Sequence, residues 1–218
     1  MLESVAILGG TGAEGSGLAL RFAHAGLRVR IGSRDAAKAQ SAAARIGGGA
    51  EGFLNAGALA GAEVAVLTVP LAAQIGMLKS VRAEWRPGMV LVDATVPLES
   101  AIGGRLSRPL TLWEGSAGEQ AARYVPEGVH VVSAFHSLGA ELLADTAAPL
   151  DCDVLMCGDN AAAKERVRHL VELLPGARAV DAGPLENARL LENLAALLIS
   201  LNLRHKVKHT GVRITGLN

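Results

Sequence analysis

Apolar runs alternate with segments of helical periodicity in the first half of the chain. Four segments rich in apolar residues predict strands, at residues 5–8, 27–31, 63–69 and 89–93. Helical spacing follows the first three of these strands, at residues 15–25, 36–46 and 71–85. Strands that are apolar throughout and are separated by helices are typical of a parallel sheet covered on both faces. This half therefore predicts a doubly wound α/β fold.

The pattern weakens into a loop after the fourth strand and resumes with a capping box. Ser116 precedes Glu119 by three residues, which predicts a short helix that ends near Tyr124. Three further strands are predicted at residues 129–135, 152–156 and 177–181. Two further helices are predicted at residues 160–174 and 185–208. The second half thus continues the α/β pattern.

The length indicates a single domain, because 218 residues are too few for two full-sized α/β domains. We expect a Rossmann-type doubly wound parallel sheet over about residues 1–135. A smaller C-terminal α/β lobe over about residues 136–218 is expected to share its core. The last helix is apolar nearly all round between Leu190 and Leu203, which favours a buried helix in a homodimer interface.

The composition excludes several classes of protein. Half of the residues are hydrophobic, and 21 Lys and Arg balance 21 Asp and Glu, so no net charge favours nucleic acid or an anionic membrane. The longest apolar stretch, residues 194–201, is far shorter than the roughly 20 residues of a membrane-spanning helix. Because the start of the chain has no basic segment before an apolar run, a cytoplasmic location is expected.

Two cysteines, Cys152 and Cys157, lie five residues apart on one predicted strand. Side chains at that spacing point to opposite faces of a strand, so we expect two reduced thiols and no disulfide.

The loop after the first strand carries a dinucleotide-binding motif. Gly10, Gly12 and Gly15 fit G-x-G-x-x-G between a predicted strand and a predicted helix. In such a loop the first glycine permits the tight turn, the second lets a pyrophosphate approach, and the third lets the helix pack on the strand. The helix N-terminus supplies free N–H groups to the phosphates.

The end of the second strand indicates NADP rather than NAD. An NAD site places Asp or Glu there to bind the ribose 2′-hydroxyl, whereas this chain has Ser33 and Arg34. A hydroxyl and a guanidinium bind a 2′-phosphate, and Lys38 follows one helical turn later. Asp35 is interpreted as the N-cap of the next helix.

Two Thr-Val-Pro sequences follow the third and fourth predicted strands. They begin at Thr68 and Thr95, at the carboxyl edge of the sheet, where doubly wound folds bind ligands. They either line the nicotinamide crevice or only end the strands.

The chain resembles the coenzyme F420-dependent (deazaflavin-dependent) NADP oxidoreductases over nearly its full length. The matching segments are Gly9-Gly-Thr-Gly, Gly32-Ser-Arg, Val66-Leu-Thr-Val-Pro, Glu114-Gly-Ser-Ala, Val132-Ser-Ala-Phe-His, Asp151-Cys-Asp-Val, Cys157-Gly-Asp, Asp181-Ala-Gly-Pro-Leu and Gly211-Val-Arg-Ile-Thr-Gly. The resemblance implies an enzyme that transfers a hydride between NADP(H) and the deazaflavin coenzyme F420.

The resemblance also implies two groups of binding residues. Those for NADP are the phosphate loop Thr11, Gly12, Ala13 and Glu14, the 2′-phosphate group Ser33, Arg34 and Lys38, and the nicotinamide side Ile75, Val96 and Ala140. Those for the deazaflavin are His136, Leu138, Arg189, Asn193, Ala195 and Thr210. The family pattern tends to have small hydroxyl residues at the positions of Asn193 and Ala195, so a different acceptor stays open.

No catalytic acid, base or nucleophile is assigned. Hydride passes directly between stacked rings, so the protein has to align donor and acceptor and exclude water. His136 follows an apolar strand and is either a ligand contact or a packed histidine. His205 and His209 have the spacing of metal ligands, but Lys206 and Lys208 disfavour a cation beside them, so no metal is expected.

Three functions stay open at this point. The first is an NADP:deazaflavin oxidoreductase, and the second is an NADPH-dependent reductase of another acceptor such as FMN or FAD. The third is a non-catalytic NADP-binding sensor. The chain has no G-x-S-x-G and no G-x-x-x-x-G-K-[ST] sequence, which argues against a serine hydrolase and a P-loop nucleotidase.

Overall fold

A computed structural model describes residues 2–217, and within them the strands form one sheet in the order β3-β2-β1-β4-β5-β6-β7-β8. The strands are β1 (Ser4–Leu8), β2 (Arg28–Ser33), β3 (Glu51–Leu54), β4 (Val64–Leu67), β5 (Val90–Asp93), β6 (His130–Ser133), β7 (Cys152–Gly158) and β8 (Ala177–Asp181). Neighbouring strands are parallel except β6 and β7, which are antiparallel. The chain order reverses between β1 and β4, as in doubly wound folds.

Helices cover both faces of the sheet. The helices are α1 (Ala13–His24), α2 (Ala36–Ile46), α3 (Asn55–Ala60), α4 (Leu71–Ser80), α5 (Ala117–Tyr124), α6 (Ala140–Ala144), α7 (Ala161–Glu172) and α8 (Ala188–His205). One apolar core lies between the sheet and α1, α2, α6 and α7, and a second lies between the opposite face and α3, α4, α5 and α8. The predicted Rossmann-type fold is confirmed, with an eight-stranded mixed sheet in place of a fully parallel one.

The two cysteines occupy the places that their spacing predicts. Both lie on β7 as free thiols, with Cys152 in the first core and Cys157 in the second. The expected capping residues are also confirmed. Asp35 Oδ1 accepts hydrogen bonds from the N–H groups of Ala37 and Lys38, and Ser116 Oγ accepts one from Glu119 N.

Two predicted helices are shorter than expected. The helix predicted over residues 71–85 ends at Ser80 and is followed by the 3-10 turn Arg82–Glu84. The helix predicted over residues 185–208 begins with the 3-10 turn Leu185–Asn187, after which α8 runs to His205.

The last helix is only partly buried within the single chain, and its burial in a homodimer interface stays a prediction. One face of α8 packs on the sheet, but Leu190 and Leu197 on the opposite face are 58% and 54% exposed. None of the helices described between residues 2 and 217 is both long and apolar enough to cross a membrane. The division of the chain near residue 135 stays a prediction.

Candidate dinucleotide-binding site

The loop between β1 and α1 lies at the carboxyl edge of the sheet, and its three motif glycines have different surroundings. A Cβ at Gly10 would lie 2.9 Å from the carbonyl oxygen of Ile7, and one at Gly15 would lie 2.5 Å from Thr68 Oγ1. A Cβ at Gly12 would meet no heavy atom closer than 3.5 Å. Packing within the protein therefore requires the first and third glycines. The second leaves space that a ligand can approach.

Helix α1 begins at this loop without a side-chain cap. Its N-cap is Gly12, which has no side chain to accept from the first N–H groups of the helix. Twelve aligned peptide units also place a partial positive charge at this end. The arrangement is suited to a phosphate group.

Five of the predicted NADP residues line one cavity of about 640 Å³. Thr11 and Gly12 form its floor, and Arg34 and Lys38 lie at its β2 end together with Ser33. Arg34 and Lys38 are exposed, and neither makes an ion pair with another residue of the part that the structure describes. Two cations without partners beside a hydroxyl fit a dianionic phosphate.

The opposite wall of this cavity comes from the end of β4 and from α4. Thr68, Val69 and Pro70 line it, so the first Thr-Val-Pro sequence is part of the site. Asn55 lines it too, and its Oδ1 accepts a hydrogen bond from Gly9 N at 3.2 Å. The cavity therefore runs from the end of β2 across the glycine loop to the end of β4.

The residues expected on the nicotinamide side are spread more widely. Ala13 and Ala140 line a second cavity of about 520 Å³ between α1, α2 and α6, which shares Thr11 and Gly12 with the first. Ile75 and Val96 are half-buried and line neither cavity. Their roles in binding stay predictions.

Two buried carboxyl groups lie next to this edge. Glu14 stands in the first turn of α1, and burial together with the nearby Asp93 raises its pKa to about 8. Asp93 ends β5, and burial raises its pKa to about 6 although hydrogen bonds from Thr95 and Gln74 oppose the shift. Oε1 of Glu14 and Oδ2 of Asp93 are buried without a hydrogen-bond partner in the described chain.

A third carboxyl group joins α8 to α5. The two oxygens of Glu192 each accept an N–H from the start of α5, from Ala117 and Gly118 at 3.1 Å. Burial nevertheless raises the pKa of Glu192 to about 8, and Asp93 adds to the shift. This contact joins α8 to the N-terminus of α5.

Two buried amides link Asp93 to α5. Gln74 Nε2 donates to Asp93 Oδ1 at 3.1 Å, and Gln120 Nε2 donates to Gln74 Oε1 at 2.6 Å. The hydroxyl of Thr95 donates to Asp93 Oδ1 at 2.8 Å, so the second Thr-Val-Pro sequence begins with a residue that orients Asp93.

The sequence analysis does not single out Asp93 or Glu192, and it assigns Glu14 only to the phosphates. A charged residue within an apolar segment could have pointed to both acids: Asp93 at the end of β5 and Glu192 within α8. Their proximity could not be read from the sequence, because the three acids come from three separate elements.

His136 lies in the turn after β6, over a cavity of about 10 Å³ that it shares with Leu155, Leu191 and Leu194. Its Nε2 is 3.3 Å from Ser133 Oγ, and burial lowers its pKa to about 4. The imidazole is therefore neutral at physiological pH and lies beside two leucines of α8.

The expected deazaflavin residues on α8 do not share one face. Arg189 and Asn193 are exposed, one turn apart, whereas Ala195 is 2% exposed and packs toward the core. Leu138 is buried, and the hydroxyl of Thr210 donates to the carbonyl of Leu198 at 3.4 Å. The structure thus brings Arg189 and Asn193 together on the surface and separates Ala195 from them.

The family model for coenzyme F420-dependent NADP oxidoreductases matches residues 4–97. An F420-dependent NADP reductase of Methanothermobacter thermautotrophicus is 48% identical, and the match covers 100% of this chain and 97% of that relative. An F420-dependent NADP reductase of Methanocaldococcus jannaschii is 38% identical, and the match covers 98% of both chains.

A solved structure from Arthrobacter sp. FB24, provisionally assigned as an F420-dependent NADP-reductase, has a TM-score of 0.84 at 28% identity. It covers 99% of this chain and 100% of its own. A Mycobacterium tuberculosis 3-hydroxyisobutyrate dehydrogenase shares the fold, with a TM-score of 0.66 at 17% identity.

Proposed function

The chain belongs to the coenzyme F420-dependent NADP oxidoreductase family, and from this membership we propose that it transfers a hydride between NADP(H) and the deazaflavin coenzyme F420. One structural observation carries the proposal. A single cavity joins the open cradle at Gly12 to the two cations Arg34 and Lys38 at the end of β2. The cradle fits the pyrophosphate of a dinucleotide, and the two cations in place of an acid distinguish a site for NADP from one for NAD.

The residues present fit NADP at both of its phosphate groups. The pyrophosphate would lie on the uncapped start of α1, above Gly12, with the side chain of Thr11 beside it. The 2′-phosphate would accept hydrogen bonds from Ser33, Arg34 and Lys38. When bound, NADPH supplies the hydride, so the chain's own task is to hold the two rings in line and to exclude water.

The acceptor would lie on the side of α8 and the turn after β6. His136, Leu138, Arg189, Asn193, Ala195 and Thr210 are the residues that we propose for deazaflavin contact. A neutral His136 can donate one hydrogen bond to a ring oxygen or nitrogen without bringing a charge into the site. The exposed guanidinium of Arg189 can meet an anionic group of the acceptor.

We further propose that the protein is a homodimer paired through α8. Leu190, Leu194, Leu197 and Leu201 follow one another at intervals of four, three and four residues. This is the spacing by which two helices interlock along an apolar seam. The seam lies opposite the face that packs on the sheet, so a second copy would cover it.

The direct test is an acceptor assay. We would mix the purified protein with NADPH and oxidised F420, with FMN and FAD as parallel acceptors, and follow the loss of acceptor absorbance. The proposal expects rapid bleaching of F420 alone. Reduction of only a flavin would make the protein a reductase of another acceptor. Tight NADPH binding without turnover of any acceptor would make it an NADP sensor.

A further inference from the structure

Glu14 and Asp93 both lie at the carboxyl edge of the sheet, close enough for Asp93 to raise the pKa of Glu14, and each has one buried oxygen without a hydrogen-bond partner in the described chain. Glu14 begins α1 directly after the phosphate cradle, and Asp93 ends β5, whose neighbour β4 forms the wall of the coenzyme cavity. Oδ1 of Asp93 accepts from Gln74 and Thr95, whereas its Oδ2 accepts from no group of residues 2–217. Two unpaired buried carboxyl oxygens are costly unless a proton or a ligand stabilises them.

The topology brings the nicotinamide half of NADP to these two groups. The 2′-phosphate pocket lies at the end of β2, so the adenosine half occupies the β2 side of β1. A dinucleotide in a doubly wound sheet spans the point where the strand order reverses, which is here between β1 and β4. Its other half therefore extends over β4 and β5, and Asp93 is the last residue of β5. Glu14 lies near enough for Asp93 to raise its pKa.

Further acids lie near this pair. Asp93 raises the pKa of Glu192 on α8, and Glu119 on α5 raises it as well. None of these four acids forms an ion pair within residues 2–217. The histidine on this side, His136, is neutral above pH about 4.

We propose that Glu14 and Asp93 form a carboxyl pair that follows the charge of the nicotinamide ring, holding one proton beside neutral NADPH and losing it beside cationic NADP⁺. This inference rests on the proposed function, because it needs NADP in the cavity. Glu14 then acts as a positioning residue for NADP⁺. The two buried acids help to set the relative affinities of the site for NADP⁺ and NADPH.

The charge balance follows from the reaction. When the hydride leaves with two electrons, the dihydronicotinamide is oxidised and its ring charge rises from zero to plus one, while the acceptor is reduced. Loss of one carboxyl proton to solvent at that stage keeps the charge of the buried pocket constant. Exchange of NADP⁺ for NADPH returns a proton to the pair.

The two groups titrate in the range that this role requires. With Glu14 at a pKa of about 8 and Asp93 at about 6, the pair holds one proton near pH 7. A cationic ring next to the pair lowers both pKa values, because an opposite charge favours the ionised form. NADP⁺ binding therefore releases a proton that NADPH binding does not.

The test is the ratio of the dissociation constants of NADP⁺ and NADPH between pH 6 and 9. The 2′-phosphate titrates in both coenzymes, so its effect cancels in the ratio. In the wild type we expect the ratio to fall by about tenfold or more as the pH rises, the effect of a pKa difference of one unit. In weakly buffered solution at pH 7, NADP⁺ should also release more protons to an indicator dye than NADPH does.

The variants assign the effect to the pair. Glu14→Gln removes the proton but keeps the shape, and we expect its ratio to fall by no more than about twofold, which is the remaining titration of Asp93 near pH 6; Asp93→Asn is the second variant should the first fail to bind NADPH. Glu165→Gln, an exposed carboxyl on α7, should behave as the wild type. A flat ratio in the wild type, or an unchanged fall in Glu14→Gln, would overturn the inference.

Together with the acceptor assay, this test distinguishes failure of the carboxyl pair from failure of the proposed function. A falling ratio with no reduction of F420 would support the carboxyl pair and remove the proposed acceptor. Reduction of F420 with a flat ratio would keep the function and reject the pair. Binding of neither coenzyme would reject both.

Discussion

Gly12 and Gly15 are three residues apart and are glycines for different reasons. We expect Gly12→Ala to change the free energy of unfolding by less than about 1 kcal/mol, because its Cβ would meet no atom closer than 3.5 Å. The methyl group would occupy the place of the pyrophosphate, so the Kd for NADPH should rise at least about tenfold, or 1.4 kcal/mol. Urea unfolding and a fluorescence titration measure the two quantities.

Gly15→Ala is the matched control and should show the opposite pattern. Its Cβ would lie 2.5 Å from Thr68 Oγ1 and 2.8 Å from Gly10 Cα, so the helix has to shift. We expect a loss of about 1–3 kcal/mol in stability, the usual cost of overpacking. If Gly12→Ala were as unstable as Gly15→Ala, the open cradle would not exist.

Arg34 is expected to determine the preference for NADP over NAD. A hydrogen bond to a charged group contributes about 1.5–3 kcal/mol, so Arg34→Ala should raise the KM for NADPH by about 10- to 150-fold. The KM for NADH should stay unchanged, because NADH has no 2′-phosphate. Arg123→Ala, an exposed arginine at the end of α5, is the control. An equal loss with both coenzymes would place Arg34 outside the 2′-phosphate site.

At this scale the sequence predicts the residues whose roles depend on local backbone geometry. The glycines, Ser33 and Arg34 act through the turns in which they stand, so their spacing is informative. The pairing of Glu14 with Asp93 depends on the crossing of separate elements, which no local pattern encodes.

Among the elements, the C-terminal segment is held to the sheet by one buried carboxylate. Asp153 on β7 accepts two hydrogen bonds from Arg178 on β8, at 2.9 and 2.7 Å. It also accepts from Arg213 and from the N–H of Ile214 in the segment after α8. This segment carries Thr210, so the same carboxylate positions one of the proposed acceptor residues.

Asp153 makes the stability depend on pH in the acid range. Its hydrogen bonds with Arg178 lower its pKa from 3.8 to about 2. The stabilisation is therefore complete above pH about 4 and is lost as the pH falls through about 2. It amounts to at most about 2 kcal/mol, because Arg178 and Arg213 are partly exposed and screened.

We expect Asp153→Asn to unfold at lower urea concentration than the wild type at pH 6 and to lose less further stability between pH 5 and 2. Glu172→Gln, an exposed carboxyl at the end of α7, should follow the wild type at every pH. Parallel pH profiles for Asp153→Asn and the wild type would contradict this account.

The elements missing from the sequence analysis are those at the margins of the fold. β3 is the edge strand, and its residues are half-buried or exposed, so it lacks the apolar run that marks β1 or β4. The helix α3 has six residues, too few to show a period. The central strands could be predicted because helices cover both of their faces, and buried strands are rich in apolar residues.

For the whole molecule, the account predicts a dimer that depends on one stripe of α8. Light scattering after size exclusion should give twice the chain mass of 22.4 kDa for the wild type and 22.4 kDa for Leu197→Glu, which places a charge in the proposed seam. Leu203 is as exposed as Leu190, at 58%, but lies off the stripe, so Leu203→Glu should remain dimeric. A monomeric wild type would refute the pairing.

The central claim is direct hydride transfer between the two coenzymes, and isotope transfer tests it most directly. NADPH carrying deuterium at both positions of C4 would be mixed with the protein and oxidised F420 in ordinary water, and the reduced F420 analysed by mass spectrometry. The account predicts one deuterium in every reduced F420 molecule, because the hydride passes between stacked rings without exchange. Reduced F420 without deuterium, or no reduction at all, would contradict it.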